Sequence, residues 1–313
     1  MTLLQLKILR EIERQAFNIS AAAKALNTSQ PGVSRQLQTL ERNLGVPLLL
    51  RQKNRIVAFS PVGRSIMAAA KTLLNQAENI ELIAKEAEGR RGRLVVATSH
   101  LHARYTLLQP FKALQKRHPN VQMLMFQADP GDIPHLVREH EADIGLNSSD
   151  EEADLPKGIV SVHGNLIRRS AVMLRTHPLA KKKTLTIRDL IAHPLIGYNP
   201  RSTTGSAIAR AFEQSGVVPN VIVQANDSDV IKAYVAEGLG YGIVPTAILD
   251  QEPSTHLHSV DVTALFPRAR TSIVIREDMH LSGYVRELIQ MIVPTWKPPP
   301  EERNGQMRVQ AAR

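Results

Sequence analysis

The chain has 313 residues, 43% hydrophobic and 22% charged, which suits a small domain plus a larger one and a globular protein with a packed core. With 39 Lys and Arg against 29 Asp and Glu, the net charge is +10, which points to a polyanionic partner. The absence of Cys excludes disulfide scaffolds, thiolate metal sites, Cys nucleophiles and cysteine redox sensing.

The charge is uneven. Residues 1–93 hold 15 Lys/Arg and 7 Asp/Glu, a net +8, whereas the remaining residues hold 24 and 22, a net +2. Arg10, Glu11, Glu13 and Arg14 interrupt the first 20 residues where a secretory signal needs an unbroken apolar core. No apolar run reaches the roughly 20 residues that span a bilayer. A soluble, cytoplasmic protein with no membrane partner is therefore expected.

Leu3, Leu4, Leu6, Ile8, Leu9 and Ile12 suit one face of a first helix. Ser20 is placed to cap a short helix over 21–26, which Asn27, Thr28 and Ser29 break. Gln30 and Pro31 start the next helix, which runs to about Leu44 with Val33, Leu37, Leu40 and Leu44 inward. Gln30, Ser34, Arg35, Gln38 and Arg42 remain on its other faces, so a polar, basic helix start sits where a helix-turn-helix reader needs it. Arg51, Gln52, Lys53, Asn54 and Arg55 then separate the apolar runs 46–50 and 56–59, which reads as a hairpin with a cationic tip. Arg35 can donate a bidentate pair to guanine or lie on a solvated helix face, and Arg51 is equally placed to pair with Glu41.

The runs Ser20-Ala21-Ala22-Ala23-Lys24-Ala25-Leu26, Ser29-Gln30-Pro31-Gly32-Val33-Ser34-Arg35-Gln36, Leu40-Glu41, Leu44-Gly45-Val46-Pro47-Leu48, Arg51 and Ser60-Pro61-Val62-Gly63 resemble the LysR-type transcriptional regulators. Leu49 departs from the family's usual Phe. The resemblance implies a winged helix-turn-helix on double-stranded DNA. In it Gln30, Pro31, Ser34 and Arg35, flanked by Ser29 and Gln38, approach base edges, and Arg51, Lys53 and Arg55 hold backbone.

Between Gly63 and Gly89 there is no Gly, and good helix formers predict one long helix from Pro61 to about Glu88. Ile66, Ala69, Ala70, Leu73, Leu74, Ala77, Ile80 and Ala84 give it an apolar stripe longer than a small domain covers. The same helix of a second chain, antiparallel as in the family's linkers, is the expected partner; packing on the chain's own effector domain is the alternative. Gly89, Arg90, Arg91, Gly92 and Arg93 read as a hinge. The expected organisation is a DNA-binding domain over 1–60, a linker over 61–91, an effector domain over 92–294 and a disordered, Pro-rich tail over 295–313.

Strand-like runs at 93–97, 121–127 and 142–146 alternate with helical patterns near 104–117 and 132–140. A second set has strands at 171–174, 195–198, 221–225 and 242–244 with helices at 186–192, 204–215 and 228–237. A strand at 271–276 and a helix at 282–292 return to the first set. The fold class is α/β: a winged helix-turn-helix, a long linker helix and a two-lobed, periplasmic-binding-protein-like domain with a ligand cleft.

Ala97-Thr98-Ser99-His100, Ala103-Arg104-Tyr105, Asp227-Ser228-Asp229-Val230-Ile231-Lys232-Ala233-Tyr234-Val235 and Gly238-Leu239-Gly240-Tyr241-Gly242-Ile243 are similar to the cysteine-regulon, CysB-like branch of the family. That resemblance implies an effector of the sulfate, thiosulfate, acetylserine or adenylyl sulfate class, held by hydroxyls at helix starts. Ser99, His100, Leu101 and His102 stand where the branch has a Thr, His, Thr, Gln run, so Leu101 removes a hydroxyl and His102 replaces an amide. Ser148 and Thr203 match branch hydroxyl positions by register, with Thr204 beside Thr203; Thr203 or Thr204 is equally placed to cap its helix instead, and Arg201 adds positive charge nearby. Asp227 and Ser228 are expected to cap their helix.

His100 and His102 lack a third ligand at suitable spacing, so no metal site is expected, and no cofactor motif is present. The 238–242 glycine run follows a helix instead of opening one and is not a dinucleotide fingerprint. No Ser/His/Asp set or carboxylate pair asks for catalysis. The expectation is a DNA-binding regulator of sulfur-assimilation or sulfonate-use genes, homotetrameric as a dimer of dimers, with RNA polymerase as a further partner. The alternatives are a regulator of an unrelated pathway with a different effector, and a transporter's solute-binding protein, suggested by the two lobes alone.

Overall fold

A computed structural model describes residues 1–53, 55–87, 92–149, 154–200 and 202–298. The chain divides into two compact units, Met1–Ala87 and Glu88–Arg313. The first builds α1 (Leu3–Arg14), α2 (Ile19–Ala25), α3 (Gln30–Leu44), the antiparallel hairpin β1 (Leu49–Gln52) and β2 (Arg55–Phe59), and α4 (Pro61–Ala87).

Its core joins Leu6, Leu9 and Ile12 to Val33, Leu37, Leu40 and Leu48. Leu3 and Leu4, expected inward, are exposed. The buried arc is instead Gln5, Leu6, Ile8, Leu9 and Ile12, with the Gln5 amide donating to Gln36 Oε1 at 3.1 Å. The cap of α2 is Asn18, not Ser20: Asn18 Oδ1 accepts from the Ala21 N–H at 3.0 Å, so the helix begins at Ile19. Ser29 caps α3, and Gly45 at φ 71° ends it in the left-handed conformation.

Glu41 organises the chain between α3 and the hairpin. Its Oε1 accepts from the Leu48 and Leu49 N–H groups at 2.8 and 3.2 Å, and its Oε2 lies 3.9 Å from Arg51. Gly63 fixes the next join, because a Cβ there would sit 2.0 Å from the Leu48 carbonyl oxygen.

The sequence boundary at residue 60 falls inside this unit. Met67, Ala70 and Leu74 of α4 enter the same core, and ion pairs Arg10–Glu78 (2.8 Å) and Glu13–Lys71 (2.9 Å) tie α4 to α1. The apolar residues of α4 therefore do not form one unpartnered stripe. Leu74 is fully buried, whereas Leu73, Ile80 and Ile83 are exposed.

The second unit builds β3 (Gly92–Thr98), α5 (His100–Tyr105), α6 (Leu108–Arg117), β4 (Val121–Gln127), α7 (Ile133–Arg138), β5 (Ile144–Ser149) and β6 (Ile159–Leu166). It crosses to a second lobe with β7 (Arg169–Leu174), α8 (Ile187–Ile191), β8 (Leu195–Tyr198), α9 (Thr203–Gln214), β9 (Val221–Ala225), α10 (Ser228–Ala236), β10 (Tyr241–Pro245), α11 (Thr246–Gln251) and β11 (Leu257–Asp261). Then β12 (Arg270–Arg276) and α12 (Gly283–Ile292) return to the first lobe. The sheet orders are β4-β3-β5-β12-β6 and β11-β7-β10-β8-β9. The two crossings run side by side, with the Ile167 N–H donating to the Ala269 carbonyl at 2.8 Å.

One helix was expected near 104–117, and two form. Pro110 has no N–H to give the Thr106 carbonyl, so it is accommodated only in the first turn of a new helix. Strands β6 and β11 and helix α11 were not anticipated. Trp296 packs against the first-lobe core. The Gly89–Arg91 part of the expected hinge and residues 299–313 of the expected tail lie outside the described residues.

Replacing Glu41 with Ala strands two N–H groups at the foot of the hairpin. Urea unfolding is expected to show a loss of about 2 kcal/mol for Glu41→Ala, and a smaller loss for Glu41→Gln, whose amide oxygen still accepts.

Candidate functional site

Two faces bear on function, one in each unit. On α3, Gln30, Pro31, Arg35 and Gln38 are exposed and Ser34 is half-buried, while Val33, Leu37 and Leu40 hold the helix from behind. Residues 31, 35 and 38 follow helical spacing along one outward stripe. Ser29 Oγ accepts from the Gly32 N–H at 3.2 Å, so this residue shapes the helix start. Arg51, Lys53 and Arg55 are exposed on the hairpin, Arg51 beside Glu41.

The second unit holds a cavity of 580 Å³. The start of α5 supplies Ser99, His100 and Leu101, and the end of β4 leads into Gln127–Pro130. Ser148 comes from β5, Ile167 and Arg169 from a crossing, and Ser202, Thr204, Asp227 and Ser228 from the starts of α9 and α10. This follows from α/β wiring, in which strand ends and helix starts meet at one edge of each sheet.

Each helix start is built for that position. Ser202 Oγ accepts from the Gly205 N–H at 3.1 Å and donates to the Asn199 carbonyl at 2.8 Å. The turn is so tight that a Cβ at residue 205 would lie 2.1 Å from the Asn199 oxygen. Asp227 Oδ1 caps α10 through the Val230 N–H at 2.9 Å. Asp227 and Ser228 thus serve the helix start and also border the cavity. Ser228 Oγ lies 2.5 Å from the Tyr198 hydroxyl, whose pKa is raised by burial.

Of the expected effector residues, Ser99, His100, Leu101, Ser148 and Thr204 line the cavity. His102 does not: it is 2% exposed and lies behind the wall, with Nε2 3.0 Å from Ser148 Oγ and Nδ1 2.9 Å from Thr106 Oγ1. Burial pushes its pKa down to about 4, against a raising contribution from the Asn147 carbonyl. Thr203 opens α9, but its side chain and the whole of Arg201 lie outside the described residues.

The sequence reading missed Arg169. It begins β7, is 5% exposed and borders the cavity, so the wall is not made of neutral hydroxyls alone. Its backbone N–H donates to Thr263 Oγ1 at 2.9 Å and its Nη1 to the Pro267 carbonyl at 2.5 Å. The neighbouring Arg168 is exposed and pairs with Asp261 at 2.9 Å.

Beside the cavity, α5 is tied to the second lobe. Asp229 of α10 accepts from the Tyr105 hydroxyl at 2.6 Å and from Arg104 Nη1 at 3.2 Å, and meets His100 Nε2 at 2.7 Å. Burial pushes the Asp229 carboxyl up, but the bonds from Tyr105 and His100 and the charge of Arg104 outweigh it and hold the pKa below the ordinary value. Arg104 also reaches Glu252 at 2.5 Å, and Leu101 and Tyr105 pack on the apolar cluster of Val172, Ile196 and Ile231. His100, Asp227 and Asp229 place one ligand atom each within 4.8 Å of one another. A cation there would have to displace the cap of α10 and the donors on Asp229.

Buried neutral His102 makes stability depend on pH. Between its ordinary 6.5 and about 4, the unfolded chain takes up a proton that the folded chain does not, so stability falls as the pH falls through that window. Urea unfolding is expected to show about 2 kcal/mol lost from this group between pH 7 and pH 5. His102→Gln should lose correspondingly less over the same range.

Residues 3–64 match the bacterial regulatory helix-turn-helix protein, lysR family, and residues 87–297 match the LysR substrate binding domain. The chain is 34% identical over 291 residues to the transcriptional regulator SsuR of Burkholderia cenocepacia, covering 93% of this chain and 94% of that protein. It is also 34% identical over 296 residues to CysB of the same organism, covering 94% of each. The cofactor-binding domain of the Cbl transcriptional regulator superposes with a TM-score of 0.60 at 30% identity, covering 66% of this chain and 90% of that one. Both matched families and these relatives are regulators of transcription rather than enzymes, and the chain, matched over both its units, belongs to the LysR-type transcriptional regulators.

Proposed function

We propose that the chain controls sulfur-related genes in response to a small sulfur-related or anionic metabolite bound in the 580 Å³ cavity. The observation that carries the ligand class is Arg169, a guanidinium held in the cavity wall with donors in a fixed fork. The starts of α9 and α10 add N–H groups and the favourable ends of two helix dipoles, and Ser99, Ser148, Thr204 and Ser228 add hydroxyls. Two carboxylates, Asp129 and Asp227, also border the cavity, and each accepts a backbone N–H, from Gly131 and Val230. Similarity to SsuR, CysB and Cbl supports a sulfur-related regulon and the sulfate, thiosulfate, acetylserine and adenylyl sulfate class of effector.

On this reading Gln30, Pro31, Ser34 and Arg35 meet base edges of double-stranded DNA, flanked by Ser29 and Gln38. Arg51, Lys53 and Arg55 neutralise phosphates. Exposed Leu73, Ile80 and Ile83 on α4 support pairing with a second chain, and two such pairs form the tetramer that reads a symmetric site in the cytoplasm and presents it to RNA polymerase. The effector acts by binding one arrangement of the lobes more tightly than another.

Thermal shifts of the full chain with sulfate, thiosulfate, acetylserine and adenylyl sulfate, against unrelated carboxylates, test the effector class. Arg169→Gln is expected to weaken binding of the active anion about tenfold or more. Unrelated carboxylates stabilising the chain while all four of these compounds fail would overturn the class. Separately, Arg35→Ala should weaken binding to the chain's own promoter by about tenfold, read by fluorescence anisotropy, with the anion-induced thermal shift kept. Equal loss of both would count against distinct reading and sensing units.

A further inference from the structure

The two lobes are joined covalently by the paired crossings, which by themselves leave the angle between the lobes open to hinge motion. A second attachment lies beside the cavity. His100 Nε2, Arg104 Nη1 and the Tyr105 hydroxyl, all on α5 of the first lobe, converge on the carboxylate of Asp229 of the second at 2.7, 3.2 and 2.6 Å. The end of α11 adds Glu252, 2.5 Å from Arg104 Nη2, and Gln251, whose Nε2 donates to the Tyr105 carbonyl at 3.1 Å. The cavity is bordered by the crossings through Ile167 and Arg169, and by this attachment through His100. Tyr105 and Asp229 stand outside its lining.

These bonds are not equal. The Arg104 side chain is 49% exposed and that of Glu252 37%, so water screens their pairing and it contributes little. The Asp229 side chain is 20% exposed, and the Tyr105 hydroxyl reaches it from a ring packed, with Leu101, on Val172, Ile196 and Ile231 of the second lobe. A short hydrogen bond to a charged acceptor above an apolar bed is the stronger kind.

We propose that Tyr105 and Asp229 form an interlobe latch: they are positioning residues that bias the effector-free chain toward the effector-binding arrangement, and so raise affinity without touching the effector. Each bond of the latch runs from protein to protein, so it acts before an effector arrives. A chain that adopts the competent arrangement for only a fraction of the time binds with its affinity reduced by that fraction. The latch itself holds for any effector, whereas its affinity test uses sulfate and rests on the anion reading proposed above.

His135→Cys on α7 and Glu213→Cys on α9 place one exposed label site on each lobe of a chain that has no Cys of its own. Spin-labelled full chain, diluted into unlabelled chain, then reports the interlobe distance within one copy by pulsed electron–electron resonance. Without sulfate, Tyr105→Phe and Asp229→Asn are each expected to move population from the native distance to a longer one, and saturating sodium sulfate to restore the native distance. Tyr105→Phe keeps the ring and its packing, so its effect reads the hydroxyl alone. Calorimetric titration with sodium sulfate is expected to show binding about fivefold weaker for each of these variants, and at most about twofold weaker for Arg104→Gln. Sulfate-free distances that are the same in native and variant chains would overturn the proposal, as would an Arg104→Gln loss equal to that of Tyr105→Phe. Should sulfate bind neither native nor variant chain, the anion reading falls, and the sulfate-free distances still decide the latch.

Discussion

A guanidinium cannot be kept from water without oxygen acceptors around it, and Arg169 meets that constraint at the seam of the two lobes. The crossing chain on one side offers the Pro267 carbonyl, and the residue's own backbone is pinned to Thr263. The paired crossings, joined by the Ile167–Ala269 hydrogen bond, place that charge where the ends of β5, β8 and β9 and the starts of α9 and α10 converge. The rest of the effector unit can be understood as a frame around this point. Two sheets supply the convergent edges, and the Asp229 cluster holds α5 of one lobe against α10 of the other.

The arrangement divides labour between charge and geometry. On the anion reading proposed above, Arg169 supplies attraction with little selectivity, because any anion answers to it. The uncharged hydroxyls beside it are held in place by neighbouring groups: Ser228 by Tyr198, Ser202 by Asn199 and Ser148 by His102. The Leu101 side chain packs with Tyr105 on the second lobe's apolar cluster, so its contribution here is apolar burial.

Much of this was legible in the sequence where local chemistry dictates local structure. Gln30 and Pro31 in the first turn and the apolar spacing up to Leu44 marked α3, and the polar run 51–55 marked the hairpin tip. The start of α2 was misread because Asn18 and Ser20 are both competent caps, and only the fold chooses between them. Strands β6 and β11 escaped notice because both lie at sheet edges, where polar residues interrupt the alternation that marks a half-buried strand. Ser99, Ser148 and Thr204 of the cavity lining were named from the sequence, whereas Ser202 was not and Ser228 was expected only as a cap. Arg169 was missed, because it sits beside Arg168, and adjacent positions of a strand point to opposite faces. One of the two pairs with Asp261 in solvent while the other enters the wall, a difference that only the placement of β7 decides.

The contact of Gly63 with Leu48 joins the base of the hairpin to the first turn of α4, and Met67, Ala70, Leu74 and two ion pairs clamp the next turns to α1. The 27-residue helix is therefore welded to the reading head and acts as a lever about 40 Å long. Tilting such a rod by about 10° carries its free tip through about 7 Å, roughly two base-pair steps of duplex at 3.4 Å each. A small angular change at the clamped end of the rod is thus a translation of several ångströms at the other.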